Sequence, residues 1–184
     1  GMAKMVFFHD TSVEKEVPGS AAELLAYAQA NPGRVTYPLP PDFIGSSFLK
    51  QILSEVVADA SVLQSPVVDA EFEGVVQPLW DYLDALHNVA WQSGRNFPKT
   101  YPAMRQLLAD GEIDIAFAFN PADASAAIAA GELPDTVRSF VFDEGTLGNT
   151  HFVAIPYNAA APAGALVLAN FLISPEAQAH KQNP

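Results

Sequence analysis

The sequence contains no cysteine and few basic residues. Its 184 residues include nine Lys and Arg against 21 Asp and Glu, which gives a net charge of −12. The absence of cysteine excludes disulfide bonds and cysteine-ligated metal sites. The acidic balance argues against a nucleic-acid partner, because phosphate binding needs a basic face. An apolar content of 49% predicts a globular chain with enough residues for one ordinary domain.

Recognisable catalytic motifs are also missing. The chain has no G-x-S-x-G elbow, no H-E-x-x-H pair, no phosphate-binding P-loop and no glycine-rich dinucleotide turn. Its histidines show no metal-ligand spacing, and only His151 stands in a candidate site loop. We therefore expect no enzymatic activity, no metal and no cofactor. The longest apolar region, 159–173, is interrupted by Pro162 and Asn170 and is too short to span a membrane.

The N-terminus shows no export signal. Its apolar run, residues 5–8, is too short for the apolar core of a signal peptide. Gly1 before Met2 resembles the scar of a cleaved tag, so residues 1–4 are expected to be a remnant together with the start of the chain. We expect that any native export signal has been removed.

Strand and helix patterns alternate along the chain. Strands are predicted at 5–8, 35–37, 113–119, 137–142 and 152–157, and residues 63–74 are predicted to be a loop. Helices are predicted at 20–30, from Gly45, at 75–91, at 102–109, at 121–130, and after Pro162 and Ser174. This alternation predicts an α/β fold, a three-layer αβα sandwich around a mixed, mainly parallel sheet.

Several loops at strand ends carry polar residues or glycine just before a helix begins. Ligands of such sheets bind beyond the carboxyl ends of the strands, where helix N-termini point outward. The ligand-binding candidates follow from this rule and from one aromatic residue that ends a strand: Tyr37, Gly45, Ser46, Ser47, Thr100, Asn120, Asp123, Gly148, Asn149 and Thr150.

Each loop also has a purely structural interpretation. Ser46 and Thr100 could be helix caps, and Asn120 with Asp123 matches a cap with an acidic partner three residues on. The glycine-containing loop at 144–150 could be a connecting turn. The residues alone leave both interpretations open.

Three short segments in the last third form a joint pattern. They are Gly-Glu-x-Asp-x-Ala at 111–116, Val-Ala-Ile-Pro at 153–156 and the ending ANFLISPEAQ at 169–178. Together they resemble the C-terminal half of bacterial extracellular solute-binding proteins of ABC importers, of the type II class that includes thiamine, ferric iron and polyamine receptors. Segments 18–25, 31–34 and 45–49 extend the resemblance to about residues 5–182. Within the family, the chain is most similar to an uncharacterised subgroup.

The resemblance implies one lobe of a two-lobed receptor. Residues 5–157 would form the second lobe, with crossing strands at 5–10 and 152–157, and residues 158–184 would form helices that pack on a missing first lobe. An apolar surface left exposed by that absence could be covered by dimerisation. Such a receptor captures a small polar solute between its lobes in the periplasm and delivers it to a membrane permease.

A regulatory protein offers the alternative function. The effector-binding half of a transcription regulator shares this architecture but is joined to an upstream DNA-binding helix-turn-helix, which this sequence does not show.

Overall fold

The fold was analysed in a computed structural model that describes residues 2–13 and 16–181. The strands are β1 Met2–Lys4, β2 Val6–Asp10, β3 Ile115–Ala118, β4 Val137–Phe140 and β5 Gly148–Thr150. The α-helices are α1 Ala21–Ala30, α2 Phe43–Val56, α3 Asp69–His87, α4 Tyr101–Ala109, α5 Asp123–Ala129, α6 Pro162–Leu172 and α7 Pro175–Lys181. Short 3₁₀ helices lie at Ala60–Gln64 and Trp91–Gly94. Within the described ranges, no helix has both the length and the apolar character that a membrane crossing requires.

The central sheet has the strand order β3–β2–β4. Strand β2 is antiparallel to both neighbours, so that Phe7 pairs with Phe117 on one side and with Phe140 on the other. Strands β3 and β4 therefore run in the same direction, as expected for strands joined through a helix, here α5. Val35 adds a parallel bridge to Ile115. A separate antiparallel ribbon pairs β1 with β5.

The α/β fold is confirmed, but a mainly parallel sheet is not. Among the described residues, the pairs between named strands are all antiparallel. The physical reason is the place of β2, which lies between two strands that run in the opposite direction. Hydrophobic periodicity marks each strand but carries no information on which distant strand lies beside it.

Two other predictions were corrected. Among the described residues, the predicted strand 35–37 makes only one bridge, since Pro38 lacks the N–H that would continue a ladder. Part of the predicted loop 63–74 is helical, since α3 begins at Asp69. The first turn of α3 is exposed on all sides, so it shows no apolar stripe in the sequence. Residues 2–4 form β1, and Gly1 lies outside the described residues. That residues 1–4 are a remnant together with the start of the chain stays a prediction.

The predicted crossing strand 152–157 is also not a strand. Its residues have no strand assignment, and Phe152 and Tyr157 are 87% and 103% exposed. A strand needs a partner for its backbone groups, and no described strand lies alongside this segment. The connection to β1 is made slightly earlier in the chain, where Met2 pairs with Thr150.

Aromatic rings fill the core on one face of the sheet. The ring centroids of Phe7 and Phe142 lie 4.4 Å apart, and Phe117 stacks on Phe48 of α2 at 5.0 Å. All four side chains are at most 1% exposed. On the opposite face of β3, Ala116 and the other small side chains leave room for close packing. The sheet is thereby fixed against α2, the helix whose first turn belongs to the candidate site.

A buried glutamine fixes the segment that leads to β5. The side chain of Gln51 in α2 is 2% exposed, and its Oε1 accepts a hydrogen bond of 2.8 Å from the backbone N–H of Leu147. Its Nε2 donates to Glu55 at 2.7 Å. Met5 in turn donates its backbone N–H to the carbonyl of Leu147 at 2.9 Å. The base of the ribbon β1–β5 is therefore anchored to a helix that carries part of the candidate site.

Candidate functional site

The first turns of α2 and α4 and the loop after β3 meet at one edge of the molecule. Asp42 connects the two helices: its Oδ1 accepts hydrogen bonds from the N–H groups of Ile44 (2.8 Å) and Gly45 (3.2 Å). Its Oδ2 lies 3.4 Å from the N–H of Tyr101, the first residue of α4. One carboxylate thus caps α2 and holds the start of α4 beside it.

Tyr101 links this pair of helices to the loop after β3. Its hydroxyl donates to the carboxylate of Asp123, the first residue of α5. Arg105 lies 3.7 Å from the same carboxylate, and its guanidinium lies 5.8 Å from the centre of the Tyr101 ring. Burial, with a further contribution from Asp123, raises the pKa of Tyr101, so its hydroxyl stays protonated and remains a donor. Asp123, a predicted ligand residue, therefore serves to hold the edge together.

Gly45 and Ser47 are turned towards the protein itself. A Cβ on Gly45 would lie 1.8 Å from the carbonyl oxygen of Pro38, so the close approach predicted here is one of chain to chain. Ser47 is 4% exposed, and its hydroxyl donates to the carbonyl of Phe43 at 2.7 Å. Ser46 is partly exposed at the same turn. Of these three candidates, Ser46 retains access to solvent.

Tyr37 lies in the core. It is 5% exposed, stacks on Phe48 with a centroid distance of 5.0 Å, and its hydroxyl lies 2.8 Å from Nε2 of His87. Burial raises the pKa of Tyr37 to about 12. These contacts explain the residue as a packing residue behind the site.

Thr100 and Asn120 both make local caps. Thr100 accepts a hydrogen bond of 3.4 Å from the N–H of Ala103. Asn120 accepts one of 3.1 Å from the N–H of Ala122 and is otherwise exposed. Asn120 also lines a cavity of about 230 Å³, whose lining includes Phe119 and His151. The Asn120 side chain therefore faces an open volume as well as its own turn.

Gly148, Asn149 and Thr150 form β5 rather than a loop. Asn149 pairs with Ala3 of β1, and its side chain contacts the ring of His151 at 3.3 Å. Through His151, this strand reaches the cavity that Asn120 lines. Gly148 instead faces a second cavity of about 600 Å³ that includes Lys4. The structure thus connects Asn149, through His151, to the cavity that Asn120 lines and leaves Gly148 apart.

Residues 1–182 match the family of bacterial extracellular solute-binding proteins. The chain is also 46% identical over 184 residues to protein YnjB of Escherichia coli K12, covering all of this chain and 47% of that protein. The chain belongs to the bacterial extracellular solute-binding proteins. It therefore spans about half the length of the curated relative it matches.

Solved structures show the same fold as this solute-binding protein. A periplasmic thiamin binding protein has a TM-score of 0.63 at 19% identity, covering 95% of this chain and 46% of that one. An ABC transporter protein of Clostridium perfringens has a TM-score of 0.64 at 19% identity, with coverages of 96% and 49%. Iron-bound HitA of Pseudomonas aeruginosa has a TM-score of 0.59 at 18% identity, with coverages of 98% and 51%. The first of these neighbours is a periplasmic binding protein by name, and this chain covers about half of each, so its fold is that of one lobe of the type II class.

Two aromatic residues of the candidate site in this solute-binding protein were not predicted from the sequence. The rings of Phe43 and Phe119 lie 5.2 Å apart at the edge where α2 begins and β3 ends. Phe43 is 55% exposed, although it stands within the predicted loop 41–47. One feature of the sequence could have indicated it. Phe43 directly follows the capping residue Asp42 and lies outside the apolar stripe of the helix. Within residues 2–13 and 16–181, no group of three or more acidic or histidine side chains is arranged to hold a metal.

Proposed function

We propose that the edge formed by the starts of α2 and α4 and the loop after β3 is one wall of a solute-binding cleft. The supporting observation is the connection made by Asp42 and Asp123, which join three chain segments into one rigid surface. A pre-formed surface loses little conformational freedom when a solute binds. The solute would be a small polar molecule, delivered to the permease of an ABC importer, and the protein would act in the periplasm.

The candidates divide into two groups by what their side chains contact. Tyr37, Gly45, Ser47, Thr100 and Asp123 make contacts inside the protein and would shape the wall. Ser46, Asn120, Asn149 and Thr150 keep exposed or half-exposed polar groups and would contact the solute. Gly148 faces another cavity and would contribute only through the position of β5. This division gives Asn120 the most direct role, since it lies at the wall and lines a cavity.

The opposite wall would come from the part of the receptor beyond this chain. Relatives are about twice as long, and the C-terminal helices leave apolar side chains in solvent: Leu166 is 63% exposed, Val167 71% and Ile173 69%. A cavity of about 1170 Å³ lies between residues 151–153 and these helices. An apolar surface of this kind marks an interface. We assign it to the first lobe, with the linkers at 2–10 and 148–157 connecting the two lobes.

Binding to the intact receptor tests this function. The assay is titration calorimetry against polar solutes, starting with thiamine, iron and fructose 6-phosphate. These are mentioned in the names of the thiamin binding protein, of HitA and of a further structural neighbour, AfuA of Actinobacillus pleuropneumoniae. A solute at 100 times its Kd also stabilises the folded protein by about 2.7 kcal/mol, which thermal unfolding detects. A receptor that binds no solute from a broad polar panel would contradict the proposed function.

Two substitutions test the residue assignment in the intact receptor. Asn120→Ala and Asn149→Ala should each raise the Kd about tenfold, because a polar group of the solute loses its partner. Asn96→Ala is the matched control, since Asn96 is exposed and its side chain donates a hydrogen bond to Gln92, outside the proposed wall. If both test variants bind like the control, the cleft lies elsewhere.

A comparison of solute affinity between this chain and the intact receptor tests whether the chain carries only one wall of the site. One wall offers the solute about half its contacts and cannot exclude water, so the Kd of the chain alone should be at least tenfold higher. Equal affinity would show that residues 1–184 hold the complete site.

A further inference from the structure

We propose that Phe43 and Phe119 form a platform that selects solutes carrying a planar ring. The proposal rests on the proposed function and specifies the class of solute. The two ring centroids are 5.2 Å apart and the ring planes are inclined by 49°, so the rings contact each other and form one continuous aromatic surface. Aromatic side chains at such distances bind a third ring by stacking or edge contact.

The exposure of Phe43 distinguishes it from the core phenylalanines. Five others, Phe7, Phe8, Phe48, Phe117 and Phe142, are at most 1% exposed, whereas Phe43 is 55% exposed. The position does not require an aromatic side chain for local structure, because the start of α2 is already fixed by the carboxylate of Asp42. What sets Phe43 apart from other exposed side chains is its contact with the ring of Phe119 at the wall of the proposed cleft, where a ring of the solute would cover both.

The cavity beside Phe119 is lined by polar side chains, which a solute on the ring pair would have to match. Phe119 is partly buried and lines the same cavity of about 230 Å³ as Asn120, His151 and Lys181. A solute on the ring pair would therefore place its other end among an amide, an imidazole and an ammonium group. Small-molecule sites commonly combine an apolar surface with a few polar groups that fix orientation. The structure assigns a compact solute with a planar ring at one end and a hydrogen-bonding group at the other.

A matched pair of probes separates planarity from size. Benzamide and its saturated counterpart cyclohexanecarboxamide carry the same carboxamide and are both uncharged at neutral pH, but only the first has a flat aromatic ring. Ligand-observed NMR with the intact receptor should detect benzamide binding and at least threefold weaker or absent cyclohexanecarboxamide binding. Phe43→Ala should abolish the difference, while Phe43→Tyr should keep it. Equal binding of the two probes, or no benzamide binding, would overturn the proposal.

A second arm distinguishes this proposal from the proposed function. For a solute found by calorimetry, Phe43→Ala should raise the Kd about tenfold and Phe43→Tyr less than threefold. Phe72→Ala is the control, because Phe72 is similarly exposed, at 45%, but lies on α3.

The outcomes separate the two proposals. If the solute binds and Phe43→Ala behaves like the control, the ring platform is wrong and the receptor function stands. If benzamide binding depends on Phe43 but calorimetry finds no solute in the polar panel that binds, the ring platform stands and the proposed function as an importer receptor for a polar solute fails.

Discussion

Gly45 lies so close to the carbonyl group of Pro38 that an added Cβ would be 1.8 Å from its oxygen. The glycine is helical and makes no unusual backbone turn, so its conformational freedom is not the reason for its presence. The contact joins the segment before α2 to the first turn of that helix. Gly45 therefore fixes the position of Asp42 and Phe43 relative to the core.

Gly45→Ala should destabilise the chain by about 3 kcal/mol, because either the helix or the proline segment must move to accept the methyl group. Gly74→Ala is the control: Gly74 is in α3, nothing lies within 4 Å of the added Cβ, and alanine favours a helix by up to about 1 kcal/mol. Urea unfolding of both variants should therefore give changes of opposite sign. Two stabilised variants would show that the contact is not close in solution.

The buried carboxylate of Asp114 connects three parts of the chain. It is 6% exposed, accepts a hydrogen bond of 2.8 Å from the hydroxyl of Tyr27, and pairs with Arg34, whose Nε lies 3.0 Å away. Asp114→Ala should cost about 3 kcal/mol, because the guanidinium loses its partner in a partly buried place. Glu132→Ala, which removes an exposed partner of Arg105, should cost less than about 1 kcal/mol. Equal losses in urea unfolding would contradict this ranking.

Gln51→Ala should loosen the base of the β1–β5 ribbon more than it lowers global stability. The substitution leaves the N–H of Leu147 without its partner, so the local opening that exposes this amide becomes easier. Hydrogen exchange at Leu147 should accelerate about tenfold, which corresponds to the loss of one hydrogen bond of about 1.4 kcal/mol. Gln77→Ala is the control, since Gln77 is exposed and donates a hydrogen bond to Asp81 on the surface of α3. Unchanged exchange at Leu147 would mean that the anchor is not needed.

Local patterns predicted most helices because their causes are local. Ser20 accepts a hydrogen bond from the N–H of Glu23 as the capping pattern predicted, and the helix 102–109 is confirmed by α4. Strand neighbours depend on residues far apart in sequence, such as Phe7 and Phe117, and no local pattern specifies them. The same is true of 152–157, whose alternation is typical of a strand but which has no partner among the described residues.

From the sequence, the candidate site was predicted as a set of loops. The structure adds which way each side chain points. Periodicity placed Ser46 and Ser47 at a helix start, but only the fold shows that Ser47 donates to its own helix. Exposure of Phe43 depends on what the rest of the chain leaves uncovered at that edge. Side-chain direction at a helix start is a tertiary property, so the sequence predicted the candidate loops but not the contact between Phe43 and Phe119.

His87 should make stability depend on pH. Burial lowers the pKa of His87, opposed in part by Asp84, and its Nε2 lies 2.8 Å from the hydroxyl of Tyr37. The unfolded chain has a histidine pKa of about 6.5 and so binds a proton more readily than the folded chain. This contribution is therefore fully present above pH of about 6.5 and is lost as pH falls through the folded pKa.

The measurement is urea unfolding of the wild type and His87→Gln between neutral and mildly acidic pH. Glutamine can keep an acceptor near Tyr37 but does not titrate, so the loss of stability on acidification should be smaller in the variant. Carboxylates titrate in both proteins and cancel in the difference. A variant as pH-sensitive as the wild type would assign the effect to groups other than His87.

The exposed apolar side chains of α6 and of Ile173, which follows it, should behave differently in this chain and in the intact receptor. Val167 and Ile173 are 71% and 69% exposed, so the chain alone should associate through them at high concentration, with dimerisation as the simplest form. Replacing both by serine should shift the sedimentation of the chain towards the monomer without lowering the stability of the chain.

In the intact receptor the same double substitution should lower the free energy of unfolding, because those side chains would be buried against the first lobe. Val141→Ser, at a 50% exposed position near β4, should change neither property. A chain that is monomeric at every concentration would reject self-association, and an intact receptor of unchanged stability would reject this surface as the interface between the lobes.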